Sequence, residues 1–463
     1  MNALTTLLIV GLISCLGTST LLAQNVTIPD ANFKAYLIGN TAINTNGDTL
    51  IQVSEATSFT GTINCSASNI ADLTGIESFT NLTQLYCSSN QLTTLDVTQN
   101  TKLTRLYCRS NQLTTLDVSQ NTRLNYLRCY SNQLTTLDLS QNTSLRTLNC
   151  YGNQLTSLDL SQNANLTVLG ASSNQLTSLD VTQNTSLTTI DCGYNQITSL
   201  DLSQNTNLTN INCTTNQLTT LDVSQNTNLT SINITSNQFS SIDVRQNTNL
   251  TNLNCANNQL DSIDILLNTS LTTLYCNGNQ LTNLDLSQNT ALTRIICHTN
   301  QFTTLDVRSN TSLIELQCQS NQLTALNVKN GNNTNFTRLV ATSNPNLNCI
   351  EVDDSTYATT NWTQIDAASS FSTNCGVWNS IYTINNAIKA TAYPNPTTKA
   401  LTLDFGKTYQ ETTIQVHNAI GELVMNQSLE NSSSSRLEWK GVGIYFITLQ
   451  TEEGTRTLKV VKQ

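Results

Sequence analysis

Apolar positions recur here in a fixed order that repeats every 21 residues, starting from Leu82, Leu103, Leu124, Leu145, Leu166, Leu187, Leu208, Leu229, Leu250, Leu271, Leu292 and Leu313. Each unit reads LxxLxCxxNQLTxLDVSQNTx. A weaker unit precedes at Ile63 and Cys65, and another follows from Phe336 to Val352 after a two-residue insertion. One unit of this length cannot bury its apolar side alone, so the pattern predicts a stacked, mostly β solenoid of about 14 coils. The first half of the unit has the alternation of a short strand. The second half, LTxLDVSQN, echoes it ten or eleven residues later, which predicts a second extended segment per coil and few helices. At roughly 4.8 Å per coil the array would run for on the order of 60 Å.

The pattern changes at both ends. IPDANFKAYL reads as a short helix ahead of the array, and the segment after Cys375 loses the period. Pro394 and Pro396 mark the entrance to alternating stretches such as TTIQVHNAIGELV and GVGIYFITLQ. These predict a small antiparallel β-sandwich of about 70 residues.

The first half of the unit, with Cys in its third apolar place and Asn90 through Asn321 at the ladder position, resembles the LxxLxLxxNxL signature of leucine-rich repeats. That resemblance implies one parallel strand per coil and Asn side chains bonded to the backbone of their own turn and of adjacent coils. The nested second half, with its own Asn column from Asn100 to Asn310, resembles a bacterial subgroup of these repeats. At the other end YPNPT, NAIGELV, GIYFITL and LKVVK follow one another between Ala392 and Gln463. In that order they resemble the C-terminal type IX secretion (Por) sorting domain of Bacteroidota proteins. The resemblance implies an address read by the type IX secretion machinery at the outer membrane, with the product displayed on the cell surface or released. The chain then divides into a signal peptide (1–23), an N-terminal cap (24–64), the repeat array (65–352), its C-terminal cap (353–376), a linker (377–391) and the sorting domain (392–463). The signal reading rests on the apolar run Leu7 to Leu16, the lack of acidic residues and the small Ala23.

Composition adds less than the period does. Charged residues make up 11% of the chain and the net charge is −10. Eleven Asp residues, in one column from Asp96 to Asp306, account for that balance. An acidic array with few basic residues argues against nucleic acid. No later stretch has the roughly 20 apolar residues of a membrane span. The Asp column reads as a solvated strand position; a row of divalent cation sites is the sharper alternative. Ten of the twelve regular units place Cys at one interior position, with Ala171 and Ile234 in the other two. A place that accepts Cys, Ala or Ile is apolar, so these are expected to be buried, unbonded thiols. Cys349 and Cys375 lie beyond the regular period and are expected to form a disulfide closing the C-terminal cap.

Three features bear on function. Asn44, Asn46, Asp48, Leu50 and Glu55 stand at positions 1, 3, 5, 7 and 12 of a loop resembling a calcium-binding EF-hand, though Thr49 replaces the usual Gly. No other cofactor is expected. The outward positions around the first strand vary between units, and they collect Tyr86, Arg105, Tyr107, Arg109, Tyr126, Arg128, Tyr130 and Tyr151. Variation on a fixed scaffold is where a binding surface would be written. With two histidines and no nucleophile motif, catalysis has little support. The reading is an exported, adhesion-like protein binding a protein or glycan partner. A structural spacer or matrix element is the alternative, and a carbohydrate-active enzyme a more distant one.

Overall fold

A computed structural model describes residues 24–376, 390–393, 397, 399–419, 422–451 and 454–462. The expected signal segment and nearly all of the expected linker lie outside the described residues. The chain divides into two compact units, one running through Phe302 and including Ser309–Asn321, the other comprising Thr303–Arg308 and Gln322–Gln463.

The first unit opens with α1 (Ala31–Gly39), which starts where the Asp30 carboxylate accepts the N–H groups of Asn32 and Phe33, both at 2.9 Å. The other Asp30 oxygen accepts from Ala71 and Asp72, so one side chain caps the helix and fastens it to the first coil. Phe33 and Leu37 are fully buried beneath it. After a polar loop, α2 (Val53–Ser58) leads into the array.

Each coil contributes a three-residue parallel strand, from Thr62–Asn64 to Glu315–Gln317, paired with the next coil in unbroken register, as in Leu85↔Leu106 and Leu106↔Leu127. Within a strand the middle residue is buried and its neighbours face outward. The period of two thus places Leu or Ile inside and the varying residues outside. The cysteines of the column are unbonded and fully buried. Burial raises the Cys150 thiol to about 12, so it behaves as a small apolar filler.

The Asn ladder explains the turn after each strand. Asn111 Nδ2 donates to the carbonyls of Cys87 and Cys108, both at 3.0 Å, while its Oδ1 accepts the Leu92 N–H at 3.1 Å. Just before it, Ser110 has a φ of 54°, and the same left-handed conformation recurs at Ser89, Ser131, Ser173 and Asn257. Variation in this column therefore follows a turn that suits Ser, Asn and Gly. It does not mark recognition, although by sequence Ser110 is among the letters that change from coil to coil.

The second side of the coil departs from expectation. In most coils of the first unit no regular strand forms there; between Asp96 and Asp117 there is only an isolated bridge. The Asp column shapes the turn that follows, in coils with and without a second strand, since Asp306 at the end of a paired strand accepts the Arg308 N–H in the same way. Asp117 Oδ1 accepts the Ser119 N–H at 2.9 Å, and Asp138, Asp159, Asp201 and Asp222 each take the N–H two residues on. An Asx turn of this kind bends the chain immediately after the Asp. The second Asn column follows it. There Nδ2 donates to two carbonyls, as Asn184 does to Leu160 and Asn163, while Oδ1 is buried without a partner.

In the second unit the extended second side is realised. Thr304–Asp306, Ala325–Asn327, Cys349–Glu351 and Ser370–Ser372 form a parallel four-stranded sheet. α3 (Ser355–Asn361) then brings Trp362, 4% exposed, against Phe336 and Phe371. Cys349 and Cys375 are bonded, with Cα atoms 5.8 Å apart.

The tail beyond Ala390 is a five-stranded antiparallel sheet. Its long strand Ala400–Asn418 pairs with Thr391–Tyr393, Leu423–Glu438 and Gly443–Thr451, and the last of these pairs with Gly454–Lys462. The register shifts between Asp404 and Tyr409, where Gly406 has a φ of 79°. Leu401, Leu403 and Phe405 before the shift, and Ile414 and Val416 after it, share one buried cluster with Trp439, Ile447 and Leu449. The layers expected of a sandwich are thus supplied by one sheet curling over its own core.

Candidate binding face

The eight outward residues singled out from the sequence come together on neighbouring coils of the first unit. Register makes Arg105 and Tyr126 neighbours in one column, and Tyr86, Tyr107 and Arg128 successive members of another. Arg109, Tyr130 and Tyr151 form a third, just past the Cys column. Tyr86 and Tyr107 stack with centroids 4.5 Å apart and 13° between planes; Tyr130 and Tyr151 stack at 4.1 Å and 16°. The guanidinium of Arg105 lies 4.7 Å over Tyr126, that of Arg128 4.7 Å over Tyr107, and that of Arg109 5.5 Å over Tyr130. Burial, followed by a hydrogen bond with Tyr130, raises the Tyr151 hydroxyl to about 12, so it stays protonated.

Among the described residues none of these three arginines has a salt-bridge partner. Arg294, further along the same face, differs. It pairs with Glu315 at 2.7 Å and donates to the Tyr275 hydroxyl at 3.1 Å. Sequence reading missed that neutralisation, because Glu315 is a register neighbour one coil away and 21 residues off in the chain. Tyr194 is 58% exposed, at the left-handed turn position with φ 52°.

The other candidate sites are closed by their own hydrogen bonds. In the N-terminal loop, Glu55 Oε1 accepts from the backbone N–H and hydroxyl of Thr45 and from the Asn46 N–H, while Oε2 accepts from the Gln52 N–H. Burial alone would raise its pKa, but these bonds outweigh it and hold the carboxyl below its usual range. Asp48 accepts from the Leu50 N–H and from the amides of Asn46 and Gln52, and Asn44 Oδ1 accepts from Gly47 N–H. Calcium binding by Asn44, Asn46, Asp48, Leu50 and Glu55 would have to displace these donors from both carboxylates. If the loop's own bonds prevail, adding calcium or EGTA leaves the melting temperature unchanged, as read by circular dichroism; a calcium-dependent rise would support the EF-hand reading.

The Asp column likewise serves the turns. Backbone N–H groups two residues on hold Asp138, Asp159 and Asp201 below the usual carboxylate range. A glycosidase acid needs the opposite shift, and Asp117, beside the acidic hollow lined by Asp72, Glu77 and Asp96, is also held low, chiefly by the Ser119 N–H.

Comparison with known proteins gives this geometry its family. The functional domain of internalin J from Listeria monocytogenes, whose structure is described as including a cysteine ladder, superposes with a TM-score of 0.63 at 31% identity, covering 95% of this chain and 100% of that one. The chain belongs to the leucine-rich repeat proteins. Another internalin of Listeria monocytogenes (TM-score 0.57, 23% identity, 76% of this chain and 100% of that one) shares the repeat fold. So does a leucine-rich repeat protein of Leptospira interrogans (TM-score 0.55, 22% identity, 69% and 97%). In sequence, internalin J of Listeria monocytogenes serotype 4b is 42% identical over 76 residues, 16% of this chain; the match spans 8% of that relative's length. Residues 391–463 match the secretion system C-terminal sorting domain.

This leucine-rich repeat protein is therefore exported by type IX secretion, to the cell surface or beyond it. No described helix is long and apolar enough to cross a membrane. Within this chain, the Leu, Cys and Asn columns form the repeating scaffold, and the Tyr and Arg residues of the N-terminal coils lie at outward positions that vary between coils.

Proposed function

We propose that the protein is an adhesion-like binding protein that engages a protein or glycan partner through Tyr86, Arg105, Tyr107, Arg109, Tyr126, Arg128, Tyr130 and Tyr151. It carries no catalytic role and no resident cofactor; residues 1–23 direct its first export step and 377–391 tether the sorting domain. The observation that supports this most is the set of three guanidinium groups held on tyrosine rings with no carboxylate among the described residues paired to them. A spacer has no use for such a surface. Tyr and Arg are also the side chains that carry most binding energy at interfaces, because they bring large area and several donors at modest entropic cost.

The combined change Tyr107→Ser, Arg128→Ser and Tyr130→Ser is expected to reduce ligand capture at least about tenfold while moving the melting temperature by only about 3 °C. Capture is scored on a glycan array and by pull-down of surface proteins, with the unchanged chain alongside. Equal capture by the variant would move recognition off this face, and no capture by the unchanged chain would leave the spacer reading in its place.

A further inference from the structure

The geometry points to an acidic polypeptide as the partner of this face; the inference rests on the binding reading above and gives it a chemistry. The argument turns on which parts of the aromatic rings meet solvent. Because the rings stack along the ladder, at 13° and 16° between planes, their faces point along the array and toward one another. Tyr107 has Tyr86 against it and Arg128 over its ring; Tyr130 has Tyr151 against it and Arg109 over its ring. At these two central rings what remains for a ligand is ring edges, hydroxyls and the outer ends of guanidinium groups.

Each of these favours negative charge. The edge of an aromatic ring is the positive part of its quadrupole. The guanidinium fork donates in a plane that matches a carboxylate, and with one face resting on a ring less orientational freedom is lost on binding. A sugar, by contrast, is usually held by an open ring face, and at Tyr107 and Tyr130 both faces are covered. An electropositive, Tyr- and Arg-rich surface on a chain of net charge −10 is suited to a protein partner carrying Asp and Glu on flexible side chains that reach forks in three different columns.

The test immobilises the exported chain and measures binding of poly-L-glutamate, polygalacturonate and poly-L-lysine by biolayer interferometry. Poly-L-glutamate is expected to bind at least about tenfold more tightly than polygalacturonate, and to weaken at least about tenfold between roughly 50 and 300 mM salt. Arg105→Gln with Arg109→Gln and Arg128→Gln should abolish that binding. Tyr107→Phe with Tyr130→Phe, which keeps the stacks and removes the hydroxyls, should weaken it about threefold or more. Poly-L-lysine should not bind. Equal or tighter binding of polygalacturonate would make the partner an anionic glycan and overturn the proposal, as would poly-L-glutamate binding that survives the triple Gln change. If poly-L-glutamate fails while capture still depends on Tyr107, Arg128 and Tyr130, the chemistry proposed here falls and the binding face stands.

Discussion

Alanine at Asn195 is expected to lower the stability of the array by about 3 kcal/mol or more, and alanine at Asn184 by about half as much. Both side chains are buried amides, so residue type does not separate them. Their partners do. Asn195 Nδ2 donates to the carbonyls of Ala171, Cys192 and Gly193, and its Oδ1 accepts the Leu176 N–H at 3.0 Å. Its removal leaves a buried N–H and interior carbonyls unpaired at once, and each orphan costs about 1 to 3 kcal/mol. Asn184 donates to two carbonyls, but its Oδ1 already lacks a partner, so alanine there also removes a buried acceptor that the fold leaves unpaired. Urea unfolding followed by circular dichroism ranks the two variants. A larger loss at Asn184 would mean that its Oδ1 is satisfied in solution and that the two columns are equivalent.

The same two columns show how far the sequence can be read. Leu106, Cys108 and Asn111 were legible because the coils repeat Leu or Ile, mostly Cys, and Asn at these positions, and repetition at 21 residues leaves a stacked coil as the simplest way to bury them. Their roles follow from position alone. The pairing of Tyr107 with Arg128 was not legible to the same degree. Register brings the columns together, but which ring lies under which guanidinium depends on side-chain rotamers across a gap of one coil. The residue list could be drawn up from variation; the exposure of edges instead of faces could not.

The second side of the coil was legible only in part. LTxLDV has the alternation of a strand, and where Thr304–Asp306 and Ala325–Asn327 pair it becomes one. The Asx turn after it does not decide the outcome, because Asp306 and Asn327 in the paired strands accept the N–H two residues on just as Asp117 does. Which coils pair on that side is therefore not written in the repeat letters. In the N-terminal loop, spacing places Asn44, Asp48 and Glu55 as metal ligands, and the structure adds what spacing could not show, that the backbone N–H groups of Thr45, Asn46 and Gln52 donate to the Glu55 carboxylate.

Removal of Ala392–Gln463 is expected to leave the array folded and to stop its delivery, with the truncated chain accumulating in the periplasm on cell fractionation. The array's C-terminal end is closed by its own residues, through Trp362 against Phe336 and Phe371 and the bond between Cys349 and Cys375. The tail's core is likewise its own, running from Leu401 to Val460. Truncation alone does not tell whether the address is a folded sheet or a linear motif; Leu437→Asp does. Leu437 is fully buried in that core, and a carboxylate placed there without a partner costs about 4 kcal/mol or more, enough to unfold a small sheet. The YPNPT, NAIGELV, GIYFITL and LKVVK stretches all remain in this variant. If the curled sheet is what the secretion machinery reads, Leu437→Asp should fail to reach the surface as completely as the truncation does. Normal delivery of the variant would assign recognition to the linear stretches and leave the sheet as their carrier.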